Sequence, residues 1–511
     1  MEIATWRSHV AELTGAVGWQ VEMAVRRDAM RAALAFTAPI DALFAATLVN
    51  EWAWTRARGA GTTEAASDDA LPHSLPDALA RLRVVIAEEA NPALVALKAR
   101  AAAEGVPFMA DEDQVSVGYG TRSAAWPARA LPLPDEVAWP SLGAVPVALV
   151  TGSNGKTTTT RLVAAMLAQA GHTVGYCCSD GVFIAGTQVE SGDWSGPSGA
   201  KRVLRDPRVT AAVLETARGG LLRRGLVVPQ AAAAIVTNIA EDHFGAYGIR
   251  SLGDLAAAKL QIVHALGTEG TLVLNGDDAT LRTASLPADS RVEWFSAAAP
   301  PASVPAASEM PLAFGGAAPY NVMNAIGAAQ VARALGVSDS AIAQTLREFG
   351  RANADNPGRL ERHEVRGVRI WIDYAHNPHG LAALLDLCNA EAHGGRIGLL
   401  LGQAGDRDDD AIRALARTAW VPRPRLPDRI ALKDVDGYLR GRAPGAVPEL
   451  MRAELIAAGA PAETLSIALD ELSGVRALLD WARAGDLLVL PVHNLEARKR
   501  TITLLDALRG G

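Results

Sequence analysis

The stretch Val145–Gly171, VPVALVTGSNGKTTTTRLVAAMLAQAG, combines three local patterns that together predict a phosphate-binding site. An apolar run at Val147–Val150 predicts a buried strand, and the Gly-Ser-Asn-Gly segment after it predicts a turn. Apolar residues then recur at helical spacing from Leu162 to Ala170, so a helix is expected to begin at Lys156. The first amides of such a helix lack partners inside it and converge on an anion.

The residues that open this helix extend the prediction to a nucleoside triphosphate. Lys156 is expected to reach the terminal phosphates, and the Thr157 hydroxyl is expected to bind a magnesium ion. The general pattern for such loops has a further glycine at the position of Val150, so its strict form is not met. The Gly-Lys-Thr core in a strand–turn–helix context nevertheless favours nucleotide binding over an ordinary turn.

Length, composition and charge restrict the class of protein. A chain of 511 residues is too long for one core and is expected to form about three domains. The net charge of -7 argues against nucleic acid as the main partner. The cysteines, Cys177, Cys178 and Cys388, have no disulfide or metal-ligand spacing. The N-terminus lacks the pattern of a secretion signal and no apolar stretch could cross a bilayer, so a cytoplasmic protein without a membrane partner is expected.

The periodicity along the chain divides it into three regions and predicts an α/β fold. Residues 1–130 indicate an α+β module without chemistry that can be derived from it, and the proline-rich residues 125–146 indicate a linker. Strands alternate with helices over residues 141–355, which is typical of a parallel-sheet ATPase domain covered on both faces. A second alternating block over residues 356–511 predicts a smaller, Rossmann-like α/β domain. The predicted strands are Val147–Val150, Thr173–Cys177, Ala211–Glu215, Ala232–Thr237, Thr271–Asn275, Val368–Asp373, Ile397–Leu401, Arg429–Ala431 and Leu487–Pro491.

Polar residues at the ends of predicted strands are candidates for the site, because open parallel sheets bind ligands at the carboxyl ends of their strands. Glu215 could hold magnesium or a magnesium-bound water, and the alternative is a surface acid in a turn. His243, in an Asn/Asp/His cluster, could bind a second metal or the substrate, or be a structural histidine. By composition alone, Lys259 would be a surface lysine whose stem packs on apolar neighbours.

Two turns in the last block carry further candidates. Asn356–Arg359 predicts a turn that presents an arginine. Asp373 follows a strand and could accept hydrogen bonds from ribose hydroxyls, or it could simply begin a turn closed by Asn377 and Pro378.

Five motifs occur in the order seen in Mur ligases, the ATP-dependent amide ligases of cell-wall precursor, folylpolyglutamate and cyanophycin synthesis. They are Thr151–Thr159, Thr237–His243, Tyr320–Ala325, Pro357–Arg359 and Asp373–Pro378. Over about residues 145–500 the chain therefore resembles a Mur ligase. It is most similar to the Mur-ligase module of cyanophycin synthetase, on segments Ser179–Val182, Gly192–Pro197, Leu214–Gly220 and Leu439–Arg442. Val117–Arg122 also resembles the short segment that ends the N-terminal domain of that enzyme, so residues 1–130 are expected to resemble that domain.

One departure from cyanophycin synthetase bears on the activity. That enzyme has an ATP-grasp domain between its N-terminal part and its Mur-ligase part. Here a proline-rich stretch follows Gly120. One of the two ligase activities is therefore expected to be absent from this chain.

The resemblance implies roles for individual residues, with ATP and Mg²⁺ as cofactors. Residues implied in ATP binding are Gly152, Ser153, Asn154, Gly155, Lys156, Thr157, Thr158, Asn324 (adenine), Arg359 (phosphate) and Asp373 (ribose). Residues implied in catalysis are Lys156, Glu215, His243 and Lys259. Those implied in metal binding are Thr157, Glu215, His243 and a Lys259 carbamylated by carbon dioxide. Residues implied in substrate binding are Asp180, Ser195, Arg218, His376 and Asn377.

The leading hypothesis is an ATP-dependent ligase that joins a carboxylate substrate to an amino acid or dipeptide amine. It would be of the cyanophycin type, joining β-aspartyl-arginine units or adding one amino acid to an acidic peptide. Two alternatives stay open: a ligase of an unrelated small acid, and a non-catalytic ATP-binding partner of a separate ATP-grasp ligase. A homo-oligomer is a further expectation from the resemblance.

Overall fold

The computed structural model describes residues 2–27, 32–59, 70–241, 244 and 246–510. The chain forms two compact units, residues 1–118 with 122–143 and residues 119–121 with 144–511. The domain boundaries drawn from the sequence stay predictions. Among the described residues, no helix combines the length and the apolar character needed to cross a bilayer.

Over its described residues, the first unit is an α+β module with two antiparallel sheets. Its helices are α1 (Glu2–Ala16), α2 (Leu43–Arg58), α3 (Leu75–Glu89) and α4 (Pro92–Ala103), and its strands are β1 (Met23–Arg27), β2 (Ala32–Phe36), β3 (Phe108–Ala110), β4 (Gln114–Val117) and β5 (Ala124–Pro127). Strands β1 and β2 form one sheet, and β3, β4 and β5 form the other. The proline-rich stretch is not a linker, because β5 pairs with β4 and Trp139 packs in an apolar core with Leu97 and Val117.

The second unit begins with an eight-stranded sheet in the order β13-β12-β11-β6-β10-β7-β8-β9. Its strands are β6 (Val147–Thr151), β7 (Val174–Cys178), β8 (Gly181–Ile184), β9 (Thr187–Ser191), β10 (Ala211–Glu215), β11 (Ala231–Val236), β12 (Leu266–Asn275) and β13 (Arg291–Phe295). The associated helices are α5 (Lys156–Gln169), α6 (Pro197–Leu204), α7 (Arg218–Arg224), α8 (Leu252–Lys259), α9 (Ala279–Arg282), α10 (Pro319–Ala334) and α11 (Asp339–Glu348). The sheet is parallel except at one edge, where β8 and β9 form an unpredicted antiparallel extension.

A six-stranded sheet follows in the order β14-β15-β19-β16-β17-β18. Its strands are β14 (Glu361–Val365), β15 (Val368–Asp373), β16 (Ile397–Gly402), β17 (Arg429–Lys433), β18 (Leu465–Ala468) and β19 (Leu487–Pro491), and its helices are α12 (Pro378–Glu391), α13 (Asp409–Ala419), α14 (Ala446–Ala457), α15 (Glu471–Trp481) and α16 (Leu495–Gly510). Only β14 runs antiparallel to its neighbour. Separate apolar clusters cover this sheet, and the predicted α/β class is confirmed.

The strand order brings the candidate residues of the larger sheet together. Strand β6 lies between β10 and β11, with Glu215 beside Val150 and Val236 beside Thr151. All residues of β6 and β10 are buried, as expected for central parallel strands. The segments that leave these three strands therefore meet at one edge, around the start of α5.

Candidate active site

The loop between β6 and α5 has the backbone geometry that its glycines permit. Gly152 and Gly155 have φ angles of +147° and +81°, which residues with side chains rarely adopt. The Asn154 backbone N–H donates to Asn238 Oδ1 at 3.0 Å, and Thr237 Oγ1 donates to the Asn154 carbonyl at 2.6 Å. Because Thr237 and Asn238 follow β11, the neighbouring strand braces the loop.

We expect Gly155→Ala to deform this loop and to weaken ATP binding at least about tenfold, a change of about 1.4 kcal/mol. The new Cβ would lie 2.2 Å from Asn324 Oδ1, in a backbone conformation that disfavours alanine. Calorimetry with ATP and thermal unfolding would measure the effect. Gly171→Ala is the matched control, because Gly171 has φ +91° at the other end of α5 and nothing within 4 Å of its added Cβ. Equal losses of ATP affinity in the two variants would contradict the prediction.

Lys156, Thr157 and Glu215 meet at the start of α5. Thr157 Oγ1 donates to Glu215 Oε2 at 2.8 Å. Lys156 Nζ donates to the carbonyls of Gly152 and Ser153, both at 3.0 Å. Burial raises the pKa of the Glu215 carboxyl above its usual value, and the Lys156 charge and the Thr157 hydrogen bond offset this only in part. A cation at this carboxylate would reduce the cost of burying its charge.

The donor set at this point fits magnesium. A hydroxyl from Thr157 and a carboxylate from Glu215 are oxygen ligands, and Mg²⁺ commonly uses one or two such protein groups together with phosphate oxygens and water. No group of three or more His, Cys, Asp or Glu side chains within the described residues could hold a metal. His243, the further predicted ligand, lies outside the described residues.

Lys259 is buried, so the interpretation as a surface lysine is wrong. It ends α8, and a 3-10 helix over Leu260–Ala265 follows. The residue is 3% exposed, and Nζ donates to the Gly152 carbonyl at 2.8 Å. A helix end 107 residues further along the chain thus supports the phosphate loop. Carbamylation of Lys259 stays a prediction.

Arg359 reaches the same place from the segment that precedes the smaller sheet. One guanidinium nitrogen donates to Ser179 Oγ at 3.1 Å and lies 3.5 Å from Thr157 Oγ1. The guanidinium carbon lies 4.2 Å from the centre of the Tyr374 ring. A guanidinium stacked on an aromatic ring is held in one orientation, so a positive group stands beside the predicted phosphate position.

Asp180 is the counter-ion of arginines from three parts of the chain. Its carboxylate oxygens accept hydrogen bonds from Arg161 of α5 at 2.7 Å and from Arg498 of α16 at 2.8 Å, and Arg359 lies 4.0 Å away. Burial alone would raise the pKa of Asp180, but the charges of Arg359, Arg161 and Arg498 hold it well below its usual value. The carboxylate therefore ties the phosphate helix to the last helix, while its predicted substrate contact stays a prediction.

Asp180→Asn is expected to lower the free energy of unfolding by about 3 kcal/mol at neutral pH, because buried guanidinium charges lose their partner. The folded-state pKa is depressed, so the stabilisation is complete above the unfolded-state value of about 3.9 and is lost as the pH falls through the folded-state value. The free energies of unfolding of the wild type and the variant, measured in urea, should therefore differ by a constant amount at neutral pH and begin to converge as the pH falls below about 4. Asp506→Asn, at an exposed pair with Arg509, is the control. A difference that persists unchanged into acid would contradict this account.

Two residues predicted to bind the nucleotide are Asn324, which lies beside the phosphate loop, and Asp373, which begins a turn. Asn324 Oδ1 faces Gly155, and its amide nitrogen donates to Asn321 Oδ1 at 3.2 Å. The Asp373 carboxylate accepts from the Leu360 N–H at 3.0 Å and the Ala375 N–H at 2.8 Å. Burial raises the pKa of Asp373 above its usual value despite the charge of Arg359. The bond from Ala375 is that of a turn begun by Asp373, the alternative interpretation of this residue, and the ribose contact stays a prediction.

The predicted substrate residues are spread over several contacts. Asn377 accepts from the Gly380 N–H at 2.8 Å as the cap of α12, and it donates to Asn154 Oδ1 at 2.9 Å. His376 Nδ1 lies 3.0 Å from the Tyr374 carbonyl oxygen.

The other predicted residues lie in the larger sheet's region. Ser195 Oγ donates to Asp193 Oδ1 at 2.6 Å, and buried Arg218 begins α7. Thr158 Oγ1 accepts from Asn356 at 3.2 Å. The substrate and nucleotide roles of all these residues stay predictions.

Sequence reasoning missed four residues of this site. Ser179 and Tyr374 lie inside the quoted segments Ser179–Val182 and Asp373–Pro378 but were given no role, so their position was a signal. Arg161 and Arg498 had no such signal, since Arg498 lies 318 residues from its partner Asp180.

Family models match both parts of this architecture. Residues 150–310 match the Mur ligase middle domain, and residues 358–491 match the Mur ligase, glutamate ligase domain. The two matches define a ligase built from consecutive α/β domains. The chain belongs to the Mur ligase family, which confirms the predicted family and enzyme class.

The curated relatives are ligases and synthetases. Cyanophycin synthetase from a Nostoc species is 34% identical over 398 residues, which is 72% of this chain and 43% of that protein. The chain thus spans less than half the length of the cyanophycin synthetases that it matches. UDP-N-acetylmuramoyl-L-alanyl-D-glutamate–2,6-diaminopimelate ligase from Corynebacterium glutamicum is 29% identical over 67% of this chain and 69% of that protein.

Solved structures support the fold. Mycobacterium tuberculosis folylpolyglutamate synthase complexed with ADP superposes with a TM-score of 0.53, at 18% identity over 71% of this chain and 90% of that chain. The bifunctional folylpolyglutamate synthase/dihydrofolate synthase from Yersinia pestis, complexed with AMPPNP and Mn ion, also gives 0.53, at 19% identity over 71% of this chain and 89% of that chain.

Proposed function

We propose that this chain is an ATP-dependent amide ligase that activates a carboxylate as an acyl phosphate and joins it to an amino acid or dipeptide amine. One observation carries the proposal: Arg359, from the region of the smaller sheet, lies beside Thr157 at the start of α5. Groups from both α/β regions thus converge where the terminal phosphate is predicted to bind. The names of the relatives and the nucleotide complexes of the structural neighbours support ATP as the cosubstrate.

In the first chemical step, a carboxylate oxygen of the substrate attacks the terminal phosphorus of ATP. The bond from that phosphorus to the bridging oxygen breaks, and ADP leaves. Lys156 and Arg359 would neutralise charge on the transferring phosphoryl group, where positioning and electrostatics carry the catalysis. Magnesium bound to Thr157 and Glu215 would add positive charge at the same phosphates.

In the second step, the amine nitrogen attacks the acyl carbon and the bond from that carbon to the phosphate oxygen breaks. Inorganic phosphate leaves, and the nitrogen gives a proton to the departing phosphate or to water as the amide forms. The acyl phosphate would hydrolyse in open water, so the site must exclude water during its lifetime. Arg359 and Asn377 contact residues of the phosphate helix and loop, and such contacts would close the site around the intermediate.

For the substrates, we propose the cyanophycin type: an acidic peptide carboxylate, with β-aspartyl-arginine or a single amino acid as the amine. The 34% identity to cyanophycin synthetase over most of this chain supports this choice. The part of this chain that matches cyanophycin synthetase is the part that would form one amide bond between a carboxylate and an amine.

A screen of ADP release with purified protein, ATP and Mg²⁺ tests the proposal. Amino acids, β-linked dipeptides and acidic peptides would be supplied in pairs, with mass spectrometry of the product. We expect ADP release only with a matched carboxylate and amine, together with an amide product. Turnover with an unrelated small acid would favour the alternative ligase. ATP binding without ADP release from any pair would favour the non-catalytic partner, and absence of ATP binding would overturn both ligase hypotheses.

A further inference from the structure

A buried charged cluster at the smaller sheet has no part in the steps above. Lys433 ends β17, Glu471 begins α15, and His493 follows β19. Lys433 and Glu471 are fully buried. Lys433 Nζ donates to Glu471 Oε1 and lies 3.1 Å from His493 Nδ1, while the His493 backbone N–H donates to the same Glu471 oxygen at 2.8 Å.

These contacts determine the tautomer of His493. The Ala375 carbonyl oxygen next to Nε2 can only accept, so the ring proton lies on Nε2 and His493 Nδ1 accepts from Lys433. Nε2 then donates to the Ala375 carbonyl at 3.0 Å. Burial lowers the pKa of His493 well below its usual value, and the Lys433 charge acts in the same direction, so the ring is neutral. Lys433 and Glu471 thus orient a neutral imidazole toward Ala375.

The segment that His493 holds contacts both sides of the predicted phosphate position. The His493 ring packs edge-on against Tyr374, with centroids 5.3 Å apart, and Tyr374 is the ring under the Arg359 guanidinium. Two residues after Ala375, Asn377 donates to Asn154 Oδ1 of the phosphate loop at 2.9 Å.

We propose that Lys433, Glu471 and His493 are positioning residues that hold the segment Asp373–Pro378, and through it Arg359, against the phosphate loop. This inference rests on the proposed function, because its effect is on the ATP site. A buried ion pair is weak support for stability, since apolar residues of similar volume often replace one without loss. The position of this cluster, at the carboxyl ends of strands and bonded to the Asp373–Pro378 segment, matches a geometric role.

The test compares His493→Leu with His493→Gln. Leucine removes both ring hydrogen bonds, whereas glutamine keeps an acceptor for Lys433 and a donor for Ala375. We expect His493→Leu to lower kcat about 10- to 100-fold by misplacing Arg359, and His493→Gln to recover most of that loss. Because a single change in the ion pair leaves a buried charge, Lys433→Met is combined with Glu471→Met as the second variant, and the same loss of kcat is expected.

Asp486→Asn is the matched control for lost stability. Asp486 pairs with Arg396 at 2.6 Å at the opposite, amino-terminal edge of the same sheet. This variant should lower the thermal midpoint without changing kcat or the ATP dissociation constant. If His493→Leu also loses only stability, the positioning role is overturned.

The two proposals fail in distinguishable ways. Wild-type protein that binds ATP but never releases ADP would overturn the ligase proposal, and the calorimetric ATP affinity of the His493 variants would still test the positioning role. In that case we expect His493→Leu to bind ATP more weakly than His493→Gln does. Wild-type turnover together with full kcat and unchanged ATP affinity in His493→Leu would overturn the positioning role alone. No ATP binding at all would overturn both.

Discussion

Replacing Lys156 with alanine is expected to slow substrate-dependent ADP release by about 100- to 1,000-fold. Lys156 Nζ lies over the phosphate loop, 3.0 Å from the carbonyls of Gly152 and Ser153, where its charge can follow the transferring phosphoryl group. Alanine favours a helix, so α5 should still begin at this position. A coupled assay of ADP at saturating ATP and both substrates would measure the loss.

Lys499→Ala is the control for removing one positive charge. Lys499 is exposed on α16, where it pairs with Glu496, so its loss should leave the rate unchanged. Product yield that is unaffected in Lys156→Ala would overturn the assignment of the phosphate site. A thermal midpoint close to that of the wild type would show that the lost rate is chemical in origin.

Replacing Arg359 with alanine is expected to lower kcat by about 1,000-fold, the range seen when a transition-state arginine is removed from phosphoryl-transfer enzymes. The guanidinium contacts Ser179 and Thr157, at the end of the predicted triphosphate where charge changes during transfer. ATP affinity should therefore change much less than kcat. Single-turnover ADP formation and calorimetric ATP binding, measured on the same preparation, would separate the two effects.

The fold should tolerate this change, because Asp180 keeps its hydrogen bonds to Arg161 and Arg498. Arg347→Ala, at an exposed pair with Glu309, is the matched control and should be silent in both measurements. An Arg359→Ala variant with weaker ATP binding but an unchanged kcat would show that the arginine only binds the nucleotide.

Central parallel strands could be predicted from sequence with good boundaries. Ala211–Glu215, Val368–Asp373 and Leu487–Pro491 were predicted with the bounds that the structure has. Such strands are buried on both faces and appear as short continuous apolar runs. Edge strands β9 and β14 were missed, since each has exposed residues and no continuous apolar run to mark it.

Local patterns predicted the phosphate loop and Glu215 as parts of the site, but composition wrongly predicted Lys259 to lie on the surface. The loop is a strand, a turn and a helix start in succession, so its geometry depends on neighbours in the chain. The environment of Lys259 depends instead on the meeting of α8 with a carbonyl at the end of β6. A helical pattern records which face is apolar but does not identify what covers that face.

The sequence by itself determined the strand–loop–helix unit from Val147 to Gln169, the α/β class and the Mur ligase resemblance, because these follow from periodicity, glycine positions and motif order. Only the tertiary structure decided that Arg359, Asp180 and Lys259 converge on that unit. The strand order brings these residues together. In the sheet, β6 lies between β10 and β11, although β7, β8 and β9 separate β6 from β10 along the chain. Pairing of strands distant in sequence depends on the burial of whole sheet faces, and no local pattern encodes the partner.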